Sequence, residues 1–537
     1  MPLDTLPDYR DREQIFWEVH LPVYLPNTRI SSVLPRLGDG DHISSISFLP
    51  QELLYDIFLS IVEDVSSEYL SDLKAKTISH VRLTRLPSKF NTAALALAQV
   101  SCRWREIAIS MTRLWSSIFL QRADEGSMRL VQLYLSRSGN QPLDLVMNYV
   151  DIYRRDDLYR TYQILGQCAD NSHRWKSIDF QLIGTRASLP DLQLAPRHID
   201  QALTNLQAVY FYYDSDESTS LLHALTDGLW TSPKLREVGL GNLEQIPQSV
   251  SLQNLVKLHI STTSVQTLVE YLPECSHLRS LVVERLTGTL AQNQMALQPT
   301  LLPHLRTLIL GIQNSFVAVD CLTSIMTPKL QTLSFTLVDD RAIMFQHFAQ
   351  AFRHFLFRSG ISTLRSLLLS APSADVDVLA SCLSSPQLAT VRECELHLGR
   401  GMTDEVLSCL IDETGPAYTV TNTGDIVIVR PSTDSLEDDT TDATRPCLPS
   451  LTHLRLDECH TTDGFIGRIA TSRLCKAPRG LESAKPYSRS KALGLKEFMV
   501  SVGSVRDHPL DQRVLLALAG EQMNASIESS RYDLLID

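Results

Sequence analysis

Few side chains in this sequence stand in a spacing that supports catalysis or metal binding. Glu458, Cys459 and His460 join metal-ligating residue types, but no second Cys/His pair with zinc-ligand spacing accompanies them. The GLGN sequence at 239–242 lacks the glycine spacing and the lysine of a phosphate-binding loop, and neither H-E-x-x-H nor G-x-S-x-G occurs. We therefore expect a non-catalytic protein with no catalytic residues, no metal site and no cofactor.

Length and composition narrow the class of protein further. The chain has 537 residues, too many for one compact core, so it is either multidomain or an elongated repeat array. It is 44% hydrophobic and 20% charged, with a formal net charge of −12. An acidic balance does not favour a nucleic-acid partner, which needs clustered Lys and Arg.

Cysteine usage and hydropathy indicate an intracellular protein. The ten cysteines lie far apart, no C-x-x-C occurs, and Cys394 falls within an apolar run, as expected of reduced and buried thiols. The first residues show no secretory signal pattern, and no apolar run reaches the length of a membrane span. We expect a protein of the cytoplasm or nucleus with no membrane partner.

A short phrase, L-x-x-L-x-L with conservative exchanges, recurs through most of the chain. Its leading leucines are Leu206, Leu235, Leu255, Leu278, Leu305, Leu330, Leu364, Leu451 and Leu495, with weaker candidates near Trp175 and Leu388. From 206 to 388 successive leading positions lie 20 to 34 residues apart, mostly within the range of leucine-rich repeats. The x-L-x-L part predicts a short strand, and the residues between copies, such as 264–272, carry helical periodicity.

Stacked strand-and-helix units of this kind predict an irregular leucine-rich-repeat solenoid of the α/β class over 121–537. Parallel strands would line the concave side and helices the convex side, because no single unit can bury its own apolar face. The position that usually holds Asn or Cys varies, so we expect uneven convex turns. An antiparallel hairpin around Asn422–Gly424 interrupts the repeats. A disordered acidic insertion at about 430–446 and a basic insertion at about 475–492 are also expected.

Residues 1–43 have no sustained period and are interpreted as a poorly ordered arm. From 44 to 120 the pattern becomes helical, with a long spacer at about 63–92. The first helical segment, SFLPQELLYDIFLSIVEDV, carries apolar residues over an arc of about 220°, twice what a single core would bury. A second surface must therefore cover part of this helix.

The order of motifs in 44–120 resembles the F-box, the three-helix module that docks a Skp-type adaptor of cullin–RING ubiquitin ligases. The motifs are L-P-x-E-L-L-x-x-I-F, then V-x-C-x-W-R-x-I-A, and finally L-W-S-x-I, as in the large fungal F-box families with leucine-rich remainders. The resemblance implies adaptor contact for Leu49, Pro50, Leu53, Ile57, Phe58, Val100, Cys102, Trp104, Leu114 and Trp115. The spacer is longer than in a minimal F-box.

The resemblance implies a substrate-recognition subunit of an SCF-type ligase, with a Skp-type adaptor, a cullin reached through it, and an unknown protein substrate as partners. One alternative is a leucine-rich-repeat scaffold that binds a protein partner without a ligase, and another is a hydrolase whose site forms only in the fold. The strand positions that face outward mix charge and polarity without indicating one patch: His259, Arg279, Val282, Arg306, Ile309, Gln331, Ser334 and Arg455.

Overall fold

The structure is a computed structural model. It describes residues 49–62, 93–120, 124–150, 155–183, 203–213, 229–230, 232–241, 252–290, 298–337, 345–371, 381–397, 402–411, 417–421, 426–429, 447–473, 495–502, 507–519 and 524–529. The predictions for the arm at 1–43, the spacer at 63–92 and the insertions at 430–446 and 475–492 lie outside the described residues.

Two compact units divide the chain, Met1–Leu54 and Tyr55–Asp537. Helix α1 covers 51–62, and the division falls within it. Pro50 stands directly before the helix, where its missing N–H costs nothing, and its carbonyl accepts the first helical hydrogen bond from the Leu54 N–H at 3.2 Å.

Ten further α-helices of the second unit have both ends within the described residues. They are α2 (Ala93–Val100), α3 (Cys102–Ser110), α4 (Glu125–Arg137), α5 (Arg155–Ala169), α6 (Val265–Tyr271), α7 (Ser315–Ser324), α8 (Phe345–Arg358), α9 (Asp404–Leu407), α10 (Phe465–Ser472) and α11 (Pro509–Ala519). Side chains cap several of them: the Asp124, Ser264 and Asn314 oxygens each accept a backbone N–H of the first turn.

The described strands number eighteen. They are β1 (Ser117–Leu120), β2 (Leu143–Val150), β3 (Trp175–Ile183), β4 (Ala208–Tyr213), β5 (Glu237–Leu240), β6 (Lys257–Ser264), β7 (Ser280–Thr287), β8 (Thr300–Leu301), β9 (Thr307–Ile312), β10 (Ile325–Met326), β11 (Thr332–Leu337), β12 (Ser366–Ser370), β13 (Glu393–His397), β14 (Ala417–Val420), β15 (Ile426–Val429), β16 (His453–Cys459), β17 (Glu497–Val502) and β18 (Asn524–Ser529).

Fourteen of these strands form one sheet, in the order β1-β2-β3-β4-β5-β6-β7-β9-β11-β12-β13-β16-β17-β18. Every neighbouring pair in this sheet is parallel. The strands follow chain order, as they do when each repeat adds one strand beside the last. The prediction of an α/β fold with parallel, repeating strands is confirmed, and the fold is solenoid-like.

The strand register aligns the recurring phrase. Leu258 pairs with Leu281, Leu281 with Leu308, Leu308 with Leu333, and Leu333 with Leu367, so equivalent leucines form a continuous buried row. Before most of these strands the leading leucine closes a tight turn. Its N–H bonds the carbonyl three residues earlier, as from Leu255 to Leu252 at 3.0 Å. The phrase therefore specifies both the turn and the inward side chains of each strand.

The sheet also contains strands that the repeat phrase does not predict. Ser117–Leu120 is the first strand of the sheet, although the sequence pattern predicts that this segment ends the helical module. Strands β2 and β18 carry no copy of the phrase, and β3 begins at the weak candidate Trp175. The hairpin prediction is confirmed, because β14 and β15 pair antiparallel.

Candidate functional site

Helices α2 and α3 form the base of the candidate site. The Ser101 hydroxyl caps α3 by accepting the Trp104 backbone N–H at 3.1 Å. The Arg105 guanidinium donates back to the Ala98 carbonyl at 3.0 Å and so joins the two helices. Each helix buries small and branched residues, Ala94, Leu97 and Ala98 on α2 and Ile107 and Ala108 on α3.

Helix α1 packs along α3 in the opposite direction. The rings of Phe58 and Trp104 lie 4.9 Å apart, tilted by 56°, and the hydroxyl oxygens of Tyr55 and Ser110 lie 3.3 Å apart. Residue numbers rise on one helix as they fall on the other, which defines the antiparallel arrangement. Phe58 is fully buried, so this stripe of α1 belongs to the protein's own core.

A second stripe of α1 stays in contact with solvent. Ile57 and Ile61, one helical turn apart, are each 39% exposed, and Leu53 at the preceding turn of the same helix is 48% exposed. Val100 at the end of α2 is 60% exposed and Ile109 on α3 is 38% exposed. We call Ile57, Ile61, Val100 and Ile109 the exposed apolar set. Each of the three helices contributes to it.

The ten residues assigned to adaptor contact divide between surface and core. Pro50, Leu53, Ile57, Val100 and Cys102 are exposed, while Leu49 and Trp104 are half-buried. Phe58, Leu114 and Trp115 are buried within the chain. A fully buried side chain offers no surface to another protein, so in this conformation these three positions serve internal packing.

Trp115 illustrates why such residues belong to the core. Its indole N–H donates to the Ala108 carbonyl at 2.7 Å, its ring meets Tyr134 edge-on at 5.1 Å, and the Arg137 guanidinium lies 4.5 Å above it. These contacts join α3 to α4. The motif L-W-S-x-I thus connects the helices to the first strand of the sheet.

Two polar networks on the outward face of the sheet were not foreseen from the sequence. In the first, the Tyr212 hydroxyl lies 2.6 Å from His259 Nδ1, and His259 Nε2 lies 2.9 Å from Glu284 Oε1. Tyr210 donates to Glu237 at 2.8 Å. Burial and neighbouring carboxylates raise the pKa of both tyrosines, which keeps their hydroxyls protonated as donors.

The second network centres on His397. Its Nε2 lies 2.8 Å from Glu395 and its Nδ1 lies 2.7 Å from Asp457, with Arg455 within 3.5 Å of Asp457. Burial alone would lower the pKa of His397, but the hydrogen bonds and charges of Asp457 and Glu395 raise it to about 9. Both ring nitrogens are engaged by carboxylates, so this group is satisfied as an ion-pair network across β13 and β16.

No helix in the described ranges is both long enough and apolar enough to cross a bilayer.

Comparisons with known proteins add little to this geometry. No family model matches the sequence, and no curated protein matches it. Among solved structures the chain is similar to one described as the crystal structure of the Rad7 and Elc1 complex in yeast, at 14% sequence identity and a TM-score of 0.33. That match covers 89% of this chain and 94% of the other. A likeness of this size assigns neither family nor function.

Proposed function

We propose that this chain is a substrate-recognition subunit of an SCF-type cullin–RING ubiquitin ligase. Helices α1 to α3 would act as an F-box that docks a Skp-type adaptor, and the leucine-rich repeats would bind a protein substrate. The chain would supply no catalytic group. It would raise the effective concentration of a bound substrate near the ubiquitin-charged enzyme.

The observation that carries the proposal is the exposed stripe of α1. The sequence places apolar residues on two stripes of this helix, and the chain buries only the one that contains Phe58. Covering the exposed two-fifths of Ile57 and Ile61 would add only a part of the about 1.5–3 kcal/mol that burying a whole large apolar side chain contributes. A contiguous apolar stripe left uncovered is typical of a surface that a protein partner covers.

The scaffold alternative makes a different prediction for the same stripe. In a repeat protein with no ligase partner, replacing residues of the exposed apolar set would not change how tightly a Skp-type adaptor binds or how much of it is recovered. Exposed apolar side chains also occur singly elsewhere, as with Phe357, which is 77% exposed on α8. Phe357 therefore offers a matched control.

The test is recovery of a purified Skp-type adaptor by the full chain and by the double variant Ile57→Ala, Val100→Ala. Truncation of an interface hot spot costs about 2 kcal/mol or more, so we expect roughly thirtyfold weaker binding. Phe357→Ala should bind as the wild type does. Unchanged adaptor binding by the double variant, with its fold intact, would favour the scaffold instead.

A further inference from the structure

Four arginines occupy equivalent places at the N-terminal ends of inner strands of the sheet. Arg279, Arg306, Arg365 and Arg392 each stand one residue before the start of a strand, on β7, β9, β12 and β13. Gln331 holds the same place before β11, which lies between β9 and β12. All four arginines are exposed. We call them the arginine row.

Backbone hydrogen bonds fix the row. The Arg279 carbonyl accepts the Arg306 N–H at 2.8 Å, the Arg306 carbonyl accepts the Gln331 N–H at 2.8 Å, and the pattern continues through Arg365 to Arg392. Each residue of this series therefore lies one strand spacing from the next. Neighbouring strands lie about 4.8 Å apart, so the four steps from Arg279 to Arg392 span roughly 19 Å.

No carboxylate within the described part of the chain pairs with these four guanidinium groups. That is unusual on a protein whose net charge is −12, since acidic side chains outnumber basic ones. Like charges held one or two strands apart repel each other, and an anion placed along them would relieve that repulsion.

Hydroxyl side chains follow Arg279, Arg306, Gln331 and Arg365, whereas Arg392 is followed by the exposed carboxylate of Glu393, which pairs with Ser366. Ser280, Thr307, Thr332 and Ser366 face one another across four successive strands, with Thr307 paired to both Ser280 and Thr332 and Thr332 paired to Ser366. They are half-buried, and within the described residues their hydroxyls have no hydrogen-bond partner. Guanidinium and hydroxyl groups together suit carboxylate or phosphate oxygens.

Two residues further along, the outward side chains of β7, β9 and β12 are aliphatic. Val282, Ile309 and Leu368 are half-buried there, with Ser334 between the last two. On β7, β9 and β12 the strip thus changes from arginine to hydroxyl to aliphatic over about three residues, whereas β13 carries Glu393 and Glu395 at the last two places. None of these positions holds an aromatic ring.

We propose that this strip binds an extended segment of a partner protein that carries acidic or phosphorylated side chains. Its anionic side chains would lie along the arginine row and its other side chains against the aliphatic positions. A span of roughly 19 Å accommodates about six residues of extended chain. The inference rests on the proposed function in that the bound segment would belong to the substrate.

A single-stranded nucleic acid is the competing occupant, because phosphates also bind arginine. Proteins that bind single strands combine a basic groove with aromatic rings on which bases stack. The strip presents aliphatic side chains where such rings would be needed. The carboxylates of Glu284 on β7 and of Glu393 and Glu395 on β13 also interrupt the positive charge, so separate anionic side chains can avoid them while an unbroken phosphate backbone cannot. A protein segment with separate anionic side chains therefore fits better.

The test is fluorescence anisotropy of the full chain with labelled ten-residue peptides. One peptide alternates Glu and Ala, a second has phosphoserine in place of Glu, and a third has Gln. The row variant carries Arg279→Gln, Arg306→Gln, Arg365→Gln and Arg392→Gln. The control variant carries Arg129→Gln, Arg353→Gln, Arg468→Gln and Arg513→Gln, four exposed arginines on helices, and so has the same net charge.

We expect at least one anionic peptide to bind, with roughly tenfold or greater loss in the row variant and less than twofold change in the control. Binding should weaken steeply with added salt. Equal losses in both variants, or binding of the Gln peptide as tight as the anionic ones, would overturn the proposal, as would tighter binding of a ten-residue oligothymidine.

A second pair of changes keeps the test valid if the row variant does not fold. Thr307→Val and Thr332→Val preserve volume and charge but remove two hydroxyls, and should weaken the anionic peptide several-fold. No weakening would count against the strip. Adaptor recovery should be unchanged in every row variant, which separates failure of this inference from failure of the proposed function.

Discussion

The three N-terminal helices and the fourteen-stranded sheet treat their apolar residues differently. On the inner strands the buried leucines stand in register with residues of the strands on both sides, and no large apolar side chain described on these fourteen strands is exposed. Helices α1 to α3 bury one stripe and leave Ile57, Ile61, Val100 and Ile109 in contact with solvent. The sheet therefore completes its own core, whereas the helices have apolar surface to share.

The difference shows what a repeat can and cannot do. Stacking supplies every internal strand with two identical neighbours, so apolar burial follows from repetition itself. Among the described residues, helices α1 to α3 have no such repeating neighbours on their outer side. Under the proposed function, their exposed apolar surface would meet the adaptor, while the polar outer rows of the sheet would make a different kind of contact.

The largest effect should come from the junction between the two regions. Trp115→Ala would remove a buried ring, its hydrogen bond to Ala108 and its contact with Tyr134, and we expect a loss of about 3–5 kcal/mol in the free energy of unfolding. Urea denaturation measures it. A loss below about 1 kcal/mol together with lost adaptor binding would return Trp115 to the interface and break the comparison.

A smaller but still large effect is expected at Gly311 on β9. Two residues of β7, Glu284 and Arg285, bulge opposite this one glycine, and a Cβ on Gly311 would lie only 1.8 Å from the Glu284 carbonyl oxygen. Backbone must move to admit it, so Gly311→Ala should cost about 2–3 kcal/mol.

Gly239→Ala provides the contrast for that change. A Cβ there would meet the side chains of Tyr210 and Tyr212, at 2.3 and 2.6 Å, instead of backbone. Moving these rings would disturb their hydrogen bonds to Glu237 and His259 but would leave the strand backbone in place, and we expect about half the cost of Gly311→Ala. Thermal unfolding of the two variants compares them, and equal costs would contradict the role of the bulge.

The pH dependence of stability should reveal the His397 network. The folded pKa of about 9 exceeds the ordinary value of 6.5, so the stabilisation is complete below pH 6.5 and is lost as pH rises toward 9. Because the network is partly exposed, we expect a loss of about 1–2 kcal/mol over that range.

Urea denaturation at pH 6 and pH 9 measures this loss, and His397→Gln should flatten the difference between the two. If the variant retains the wild-type difference in stability between pH 6 and pH 9, the group that titrates is not His397.

The smallest effect is expected from Ile57→Ser. Since this side chain is already 39% exposed, its removal should change the free energy of unfolding by less than about 1 kcal/mol. The same change at Leu308, buried in the sheet, should cost several times more. Comparable losses at both sites would show that α1 is covered by the chain itself.

Sequence patterns predicted the repeating strands well because each copy of L-x-x-L-x-L is a local signal. They did not predict β2 or β18, whose sequences LDLVMNYV and NASIES lack the leading leucine turn. Those strands form because a neighbouring strand edge is available, which is a property of the assembled sheet and not of the segment.

The candidate site was predicted less completely, for a physical reason. Periodicity identifies every apolar stripe of α1, but it cannot tell which stripe meets α3, so Phe58 and Ile57 look alike in sequence. Arg279 and Arg306 were among the outward positions that the sequence indicates, but their alignment with Arg365 and Arg392 was not predicted, because strand pairing alone brings these distant residues into one row.

The direct pairing of β13 with β16 has a consequence for how such a chain can change. The stretch between His397 and His453 contains α9 and a separate hairpin, yet the two strands still join in register. Residues inserted between these two strands leave the pairing of β13 with β16 unchanged. Length can therefore accumulate between neighbouring units during evolution while the spacing of side chains across the sheet is inherited unaltered.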